Sequence, residues 1–194
     1  MKTSLRWIVG LLGLSMLTAS NSAPKAPKAP KAFPEYCKAS EKVTQNLRKI
    51  KGLNLREGVN IVCSADHPDC CGNLVVKVTL TDPNDPLSCV ATLNYGSLTI
   101  DLKNGYKPEL FWSLDTSATT YDYVFDKTDG IQRLAIPGTA VSIVDPHGAK
   151  SWGTRFKWTD SGSIGAANHQ PVVHPKSHPL FTCEPKDPGI VNEQ

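Results

Sequence analysis

From Gly58 onward the hydrophobic and polar positions alternate with a period of two. Leu74, Val76, Val78 and Leu80 alternate with Val75, Lys77 and Thr79; Leu98, Ile100 and Leu102 with Thr99 and Asp101; Leu110, Trp112 and Leu114 with Phe111 and Ser113. The phase continues through Tyr121, Tyr123 and Phe125, through Leu134 and Ile136, Val141 and Ile143, and Phe156 and Trp158. Successive side chains of an extended chain point to opposite faces, so this pattern predicts half-buried antiparallel strands. Turn formers separate the runs at 82–86, Tyr95-Gly96, Asn104-Gly105, Asp129-Gly130, Pro137-Gly138, 145–148 and 160–162, positions where Gly, Pro and Asp supply the required backbone angles. About eight or nine short strands at such spacing predict an antiparallel β-sandwich or barrel.

Ahead of the strands the period changes. Tyr36, Val43, Leu47 and Ile50 form one stripe between Pro34 and Gly52, which predicts a single N-terminal amphipathic helix from Glu35 to about Lys51. Its other face carries Lys38, Lys42, Arg48, Lys49 and Lys51, a solvated surface. After Asn168 five prolines interrupt the chain, and the absence of periodicity predicts an extended tail.

The N-terminus adds an address. Lys2 and Arg6 precede an apolar run from Trp7 to Ala19 and the small residues of 20–23, the pattern of a secretory signal over residues 1–23. Residues 24–34 repeat Pro-Lys-Ala and read as an extended polyproline II spacer with its lysines along one edge. The globular domain then spans 35–194. All six cysteines, Cys37, Cys63, Cys70, Cys71, Cys89 and Cys183, lie in that domain, and an even count behind an export signal suits three disulfides in an oxidising compartment. Cys63 and Cys89 each sit on the apolar parity of an expected strand, so Cys63–Cys89 is the preferred bridge. Adjacent Cys70 and Cys71 are then left to reach Cys37 and Cys183.

Charge acquires meaning only by segment. The whole chain carries +3, yet residues 32–57 hold six basic and three acidic side chains, and residues 58–194 hold ten basic and fifteen acidic ones. A basic arm and helix therefore precede an acidic β body, which opposes a nucleic-acid role. No Gly-rich phosphate loop and no Asn-x-Ser/Thr acceptor occurs, and no cofactor is implied.

Three candidate chemistries remain. His169, His174 and His178 lie within ten residues and are candidate copper or zinc ligands, although the intervening prolines forbid a helix that would align them. Trp152, Phe156 and Trp158 share strand parity and form a candidate platform for stacking on sugar rings. Asp160, Ser163 and His169 or His174 contain the residue types of a hydrolytic triad, and Asp122 stands among several turn carboxylates, but no nucleophile elbow surrounds Ser163. The expectation is a secreted or periplasmic binding protein, an effector, inhibitor or immunity-type factor, that meets a protein or a cell-surface or wall polymer through surface loops without catalysis. Metal binding by the His-rich tail, carbohydrate binding and hydrolysis are the alternatives.

Overall fold

The computed structural model describes residues 32–136, 146–162, 164–186 and 189–193. The expected signal, most of the spacer, the run through Val141 and Ile143, and Ser163 lie outside the described residues.

The protein is mainly β. Its strands are β1 (Asn60–Cys63), β2 (Leu74–Leu80), β3 (Cys89–Leu93), β4 (Ser97–Asp101), β5 (Glu109–Asp115), β6 (Tyr123–Phe125), β7 (Ile131–Leu134), β8 (Pro146–Ser151), β9 (Arg155–Asp160), β10 (Gly165–Pro171), β11 (Val173–Pro175), β12 (Glu184–Lys186) and β13 (Gly189–Glu193). A six-stranded sheet runs β12-β3-β2-β5-β9-β8, a five-stranded sheet runs β1-β4-β13-β10-β7, and β11 pairs with β6. The sheets curl into a half-barrel around one core, to which Val76, Val78, Leu110, Trp112, Phe156 and Trp158 contribute from the larger sheet and Ile61, Leu98, Ile100, Ala167 and Ile190 from the smaller.

Three expectations are corrected. The sheets are mixed rather than antiparallel, because β1 and β13 both run parallel to β4, β2 runs parallel to β5, and β12 runs parallel to β3. Alternation reports which face is buried and is blind to the direction of the neighbouring strand. The extended chain after Asn168, tied by Cys183 to Cys89, supplies β11, β12 and β13, and β13 sits in the interior of its sheet between β4 and β10. Its apolar residues, Ile190 and Val191, are adjacent and buried in opposite clusters, so no alternation announces the strand.

The second correction concerns the helix, and the third the disulfide pairing. Residues 35–51 do not form one element: a 3-10 turn at Glu35–Cys37 is followed by an extended step and then by α1 (Glu41–Arg48). The extended step is imposed from outside, since Ala39 N–H donates to Asn60 O at 2.7 Å and Lys38 bridges Ile61. Ser40 then caps α1 by accepting from Val43 N–H at 3.3 Å, relieving one of the unpaired first-turn donors. Leu47 packs with Ala166 of β10 and Val191 of β13 in a separate cluster, so α1 covers the side of the small sheet that faces away from the main core.

All six cysteines are paired, as Cys37–Cys70, Cys63–Cys71 and Cys89–Cys183. The preferred Cys63–Cys89 bridge is therefore absent. The 3-10 turn Pro68–Cys71 folds back beside β1, and at about three residues per turn its two adjacent cysteines point in different directions. Cys71 meets Cys63 and Cys70 meets Cys37, which leaves Cys89 for Cys183.

One glycine is fixed by packing. A Cβ on Gly130 would lie 2.5 Å from Cδ2 and 2.8 Å from Cγ of the buried Phe156 ring, a rigid neighbour wedged against Trp112 and Phe125. Gly130→Ala is expected to cost about 1–3 kcal/mol by overpacking, read as a fall in Tm. An unchanged Tm would show that the ring has room to move.

Candidate binding surfaces

Two surfaces assemble side chains whose arrangement the core does not require. The first is the segment between β11 and β12. It is strapped down at both ends by His174 and by the Cys89–Cys183 bridge. His174 Nδ1 lies 2.6 Å from Phe181 O, so Nδ1–H donates to that carbonyl, and Nε2 faces Asp126 Oδ2 at 3.3 Å. Asp126 also accepts from Asp129 N–H at 2.9 Å, and from Thr128 N–H at 2.8 Å and its hydroxyl at 2.9 Å. These bonds, the Asp129 amide foremost, hold its carboxyl down at about 2 against the opposing effect of burial, so it remains a carboxylate.

Backbone bonds complete the strap. Lys176 N–H donates to Asp122 O, His178 N–H to Pro175 O, Phe181 N–H to His178 O and Cys183 N–H to Val173 O, all between 2.9 and 3.1 Å. The neighbouring turn is tied in by Tyr121 Oη, which donates to Asn84 O, and Tyr123 Oη, which donates to Pro86 O, each at 2.9 Å. At the tip Leu180 is 100% exposed and Phe181 37% exposed. With Leu87, His178 and Pro179 they line a shallow cleft of about 410 Å³.

The second surface is the outward face of β5, β9 and β8. Phe111 lies opposite Lys157, Ser113 opposite Arg155, and Lys150 opposite Lys157 on the far side. Trp152, just beyond β8, is 48% exposed. Lys150 Nζ sits 5.1 Å from the Trp152 ring centroid and Lys157 Nζ 5.6 Å from that of Phe111. Lys157 also pairs with Glu109. Two clefts of about 310 and 390 Å³ share Phe111 and Arg155 as lining residues, one continuing to Gly72 and Ser113 and the other to Trp152.

The expected site residues are dispersed among these settings. Phe156 and Trp158 do not join Trp152 in a platform: each is 1% exposed and packs against Trp112 inside the core. Their shared parity is real, but it is the inward one, and Arg155 and Lys157 take the outward positions. The three histidines are not brought together either. His169 is buried in the core, His174 belongs to the strap and His178 is exposed beside Ser177. Among the described residues no group of three His, Cys, Asp or Glu is arranged to hold a metal ion. Asp160 is buried and accepts from Gly162 N–H at 2.7 Å, which is turn chemistry. Asp122 is exposed, with its backbone carbonyl held by Lys176.

The core around His169 forms a polar network. Trp112 Nε1–H donates to Tyr95 Oη at 3.0 Å, and Tyr95 Oη lies 2.6 Å from His169 Nε2. With its oxygen accepting from Trp112, the Tyr95 hydroxyl directs its proton to His169, so Nε2 is the acceptor and the ring proton is assigned to Nδ1. That Nδ1 has no hydrogen-bond partner among the described residues. Burial pushes the imidazole down to about 3 and the phenol far up, so both stay neutral.

Phe111, Leu180 and Phe181 are the surface residues that the alternation pattern passed over. Phe111 had a signal, an aromatic residue on the polar parity of a strand, whereas Leu180 has only its place among prolines.

Among the described residues no helix is long and apolar enough to cross a membrane. No protein-family model matches the chain, and no curated protein matches it. Among solved structures, reduced rusticyanin aligns at 16% identity and a TM-score of 0.30, covering 78% of this chain and 95% of that one. Rusticyanin from Thiobacillus ferrooxidans aligns at 13% identity and a TM-score of 0.31, covering 78% and 92%. Likenesses at these scores carry neither fold nor function over to this chain.

Proposed function

We propose that the protein is a secreted or periplasmic interaction factor that binds another protein through the strapped segment between β11 and β12, without catalysis. The observation that carries this reading is the fully exposed Leu180 at the tip of a segment fixed by a disulfide, a histidine and four backbone bonds. An apolar tip left in water gains about 1.5–3 kcal/mol per large side chain when a partner covers it, and a tip held in one conformation avoids much of the ordering cost of association. Exposed apolar side chains gathered at one loop mark interaction surfaces. Three disulfides fit an oxidising compartment. Binding is favoured over turnover because both nitrogens of His174 are committed to the strap, one to Phe181 O and the other to Asp126.

The test places a photocrosslinking residue at position 180, with Lys42 on α1 as the remote control, in the full chain exposed to its native extracellular or periplasmic fluid. A protein adduct specific to position 180 is expected. Leu180→Glu should then weaken binding of the purified partner by about tenfold or more, the scale of one lost apolar anchor, with Tm unchanged. Identical adducts from both positions, or full affinity in Leu180→Glu, would overturn the reading.

A further inference from the structure

We propose that the outward face of β5, β9 and β8 is a separate binding site for an acidic glycan, a chain of sugar rings bearing carboxylates, in which Arg155 receives the carboxylate and Phe111 and Trp152 receive the rings. It stands independently of the β11–β12 segment. The Arg155 guanidinium has no hydrogen-bond or ion-pair partner among the described residues, yet Arg155 lines both clefts on this face. A guanidinium fork left free beside two clefts matches a planar carboxylate with two parallel hydrogen bonds, and such charge-assisted pairs are the strong ones. Lys150 and Lys157 lie at the two aromatic rings; of the carboxylates on this face, Glu109 is paired with Lys157, and Asp115, on the same parity at the end of β5, lies opposite Lys77 of β2. The face is therefore cationic within a β body that carries fifteen acidic against ten basic side chains. That local reversal selects an anionic partner.

The rings decide which anion. An acidic peptide would satisfy Arg155 but has no flat apolar face to lay on Phe111 and Trp152. A pyranose presents C–H groups on one face and hydroxyls at its rim, which suits an exposed aromatic ring bordered by polar groups. Two adjoining clefts that share Phe111 and Arg155, one of them also walled by Trp152, suit consecutive units of a polymer.

Calorimetric titration of the full chain with oligogalacturonate tests the site, with three comparison probes: the methyl-esterified oligomer, which keeps the rings and loses the charge; poly-L-glutamate, which keeps the charge and loses the rings; and neutral maltohexaose. Oligogalacturonate should bind about tenfold or more tighter than each, and more weakly as salt rises. Arg155→Gln and Trp152→Ala should each lose about tenfold, Arg155→Lys should lose less than Arg155→Gln because it keeps the charge without the fork, and Leu180→Glu should bind as the parent does. The site is refuted as a glycan site if poly-L-glutamate or the methyl ester binds as tightly as oligogalacturonate, if oligogalacturonate does not bind, or if Arg155→Gln and Trp152→Ala retain parental affinity. Loss of binding in Leu180→Glu would refute the independence of the two surfaces.

Discussion

Acidification from pH 6.5 to 4.5 should cost the parent protein about 2–3 kcal/mol of stability through His169 alone, and a His169→Gln variant should lose that part of the slope. The ring is fully buried between Tyr95 and Trp112, and burial lowers it to about 3 from an ordinary value of 6.5. Between those two values the unfolded chain binds a proton that the native ring refuses. Stability is fully present above pH 6.5 and declines by about 1.4 kcal/mol per unit as the pH falls toward 3. Below that point the native ring also protonates and the slope ends. Protonation would place a second donor on Nε2, against Tyr95, and deprive the phenol proton of its acceptor as well as burying a charge.

Asp126 acts in a different window. Its carboxyl is held at about 2, below its ordinary 3.8, so its contribution is present above 3.8 and disappears as the pH falls from there toward 2. Urea unfolding at several pH values, parent against His169→Gln, isolates the histidine. Equal slopes between pH 6.5 and 4.5 would contradict it. Should the variant fold poorly, the imidazole signals of the parent give the same answer, because the His169 ring should remain neutral at pH 5.

The phase of the strands was legible from residue chemistry, and their partners were not. Leu110, Trp112, Phe156 and Trp158 declare their shared inward face by parity, and the structure buries all four. Parity alone does not say whether an aromatic row faces the core or solvent, which is why Trp152, Phe156 and Trp158 read as one platform. Trp152 lies outside the strand, beyond the turn at Gly153 with its φ of 76°, and so escapes the alternation. Strand direction and the interior position of β13 depend on long-range pairing for which a five-residue segment holds no local information. The Cys70-Cys71 turn shows the same limit at closer range. That two adjacent cysteines diverge follows from local geometry, but that one of them returns to Cys63, eight residues back, depends on the turn packing against β1. For the surfaces, Arg155 was visible as the polar alternate of an aromatic strand, whereas its lack of a partner emerges only once the sheet is assembled.

Removing the Cys89–Cys183 bridge should be the most damaging of the three disulfide deletions. In the chain-entropy account a cross-link stabilises by restricting the unfolded chain, and the restriction grows with the enclosed length. This bridge spans 94 residues, against 33 for Cys37–Cys70 and 8 for Cys63–Cys71, giving about 4–5 kcal/mol for the longest and about 2–3 for the shortest. Position reinforces the difference. Cys183 immediately precedes β12, which pairs with β3 from Glu184↔Val90 onward, and the chain then enters β13 between β4 and β10, where Ile190 is buried. The same bridge closes the strap under Leu180. The double variant Cys89→Ala/Cys183→Ala should therefore lose both stability in urea and binding through position 180, whereas Cys63→Ala/Cys71→Ala should retain that binding at temperatures where it remains folded. A larger stability loss from the Cys63–Cys71 deletion would overturn the ranking and place the decisive constraint at the end of β1 rather than at the C-terminal strands.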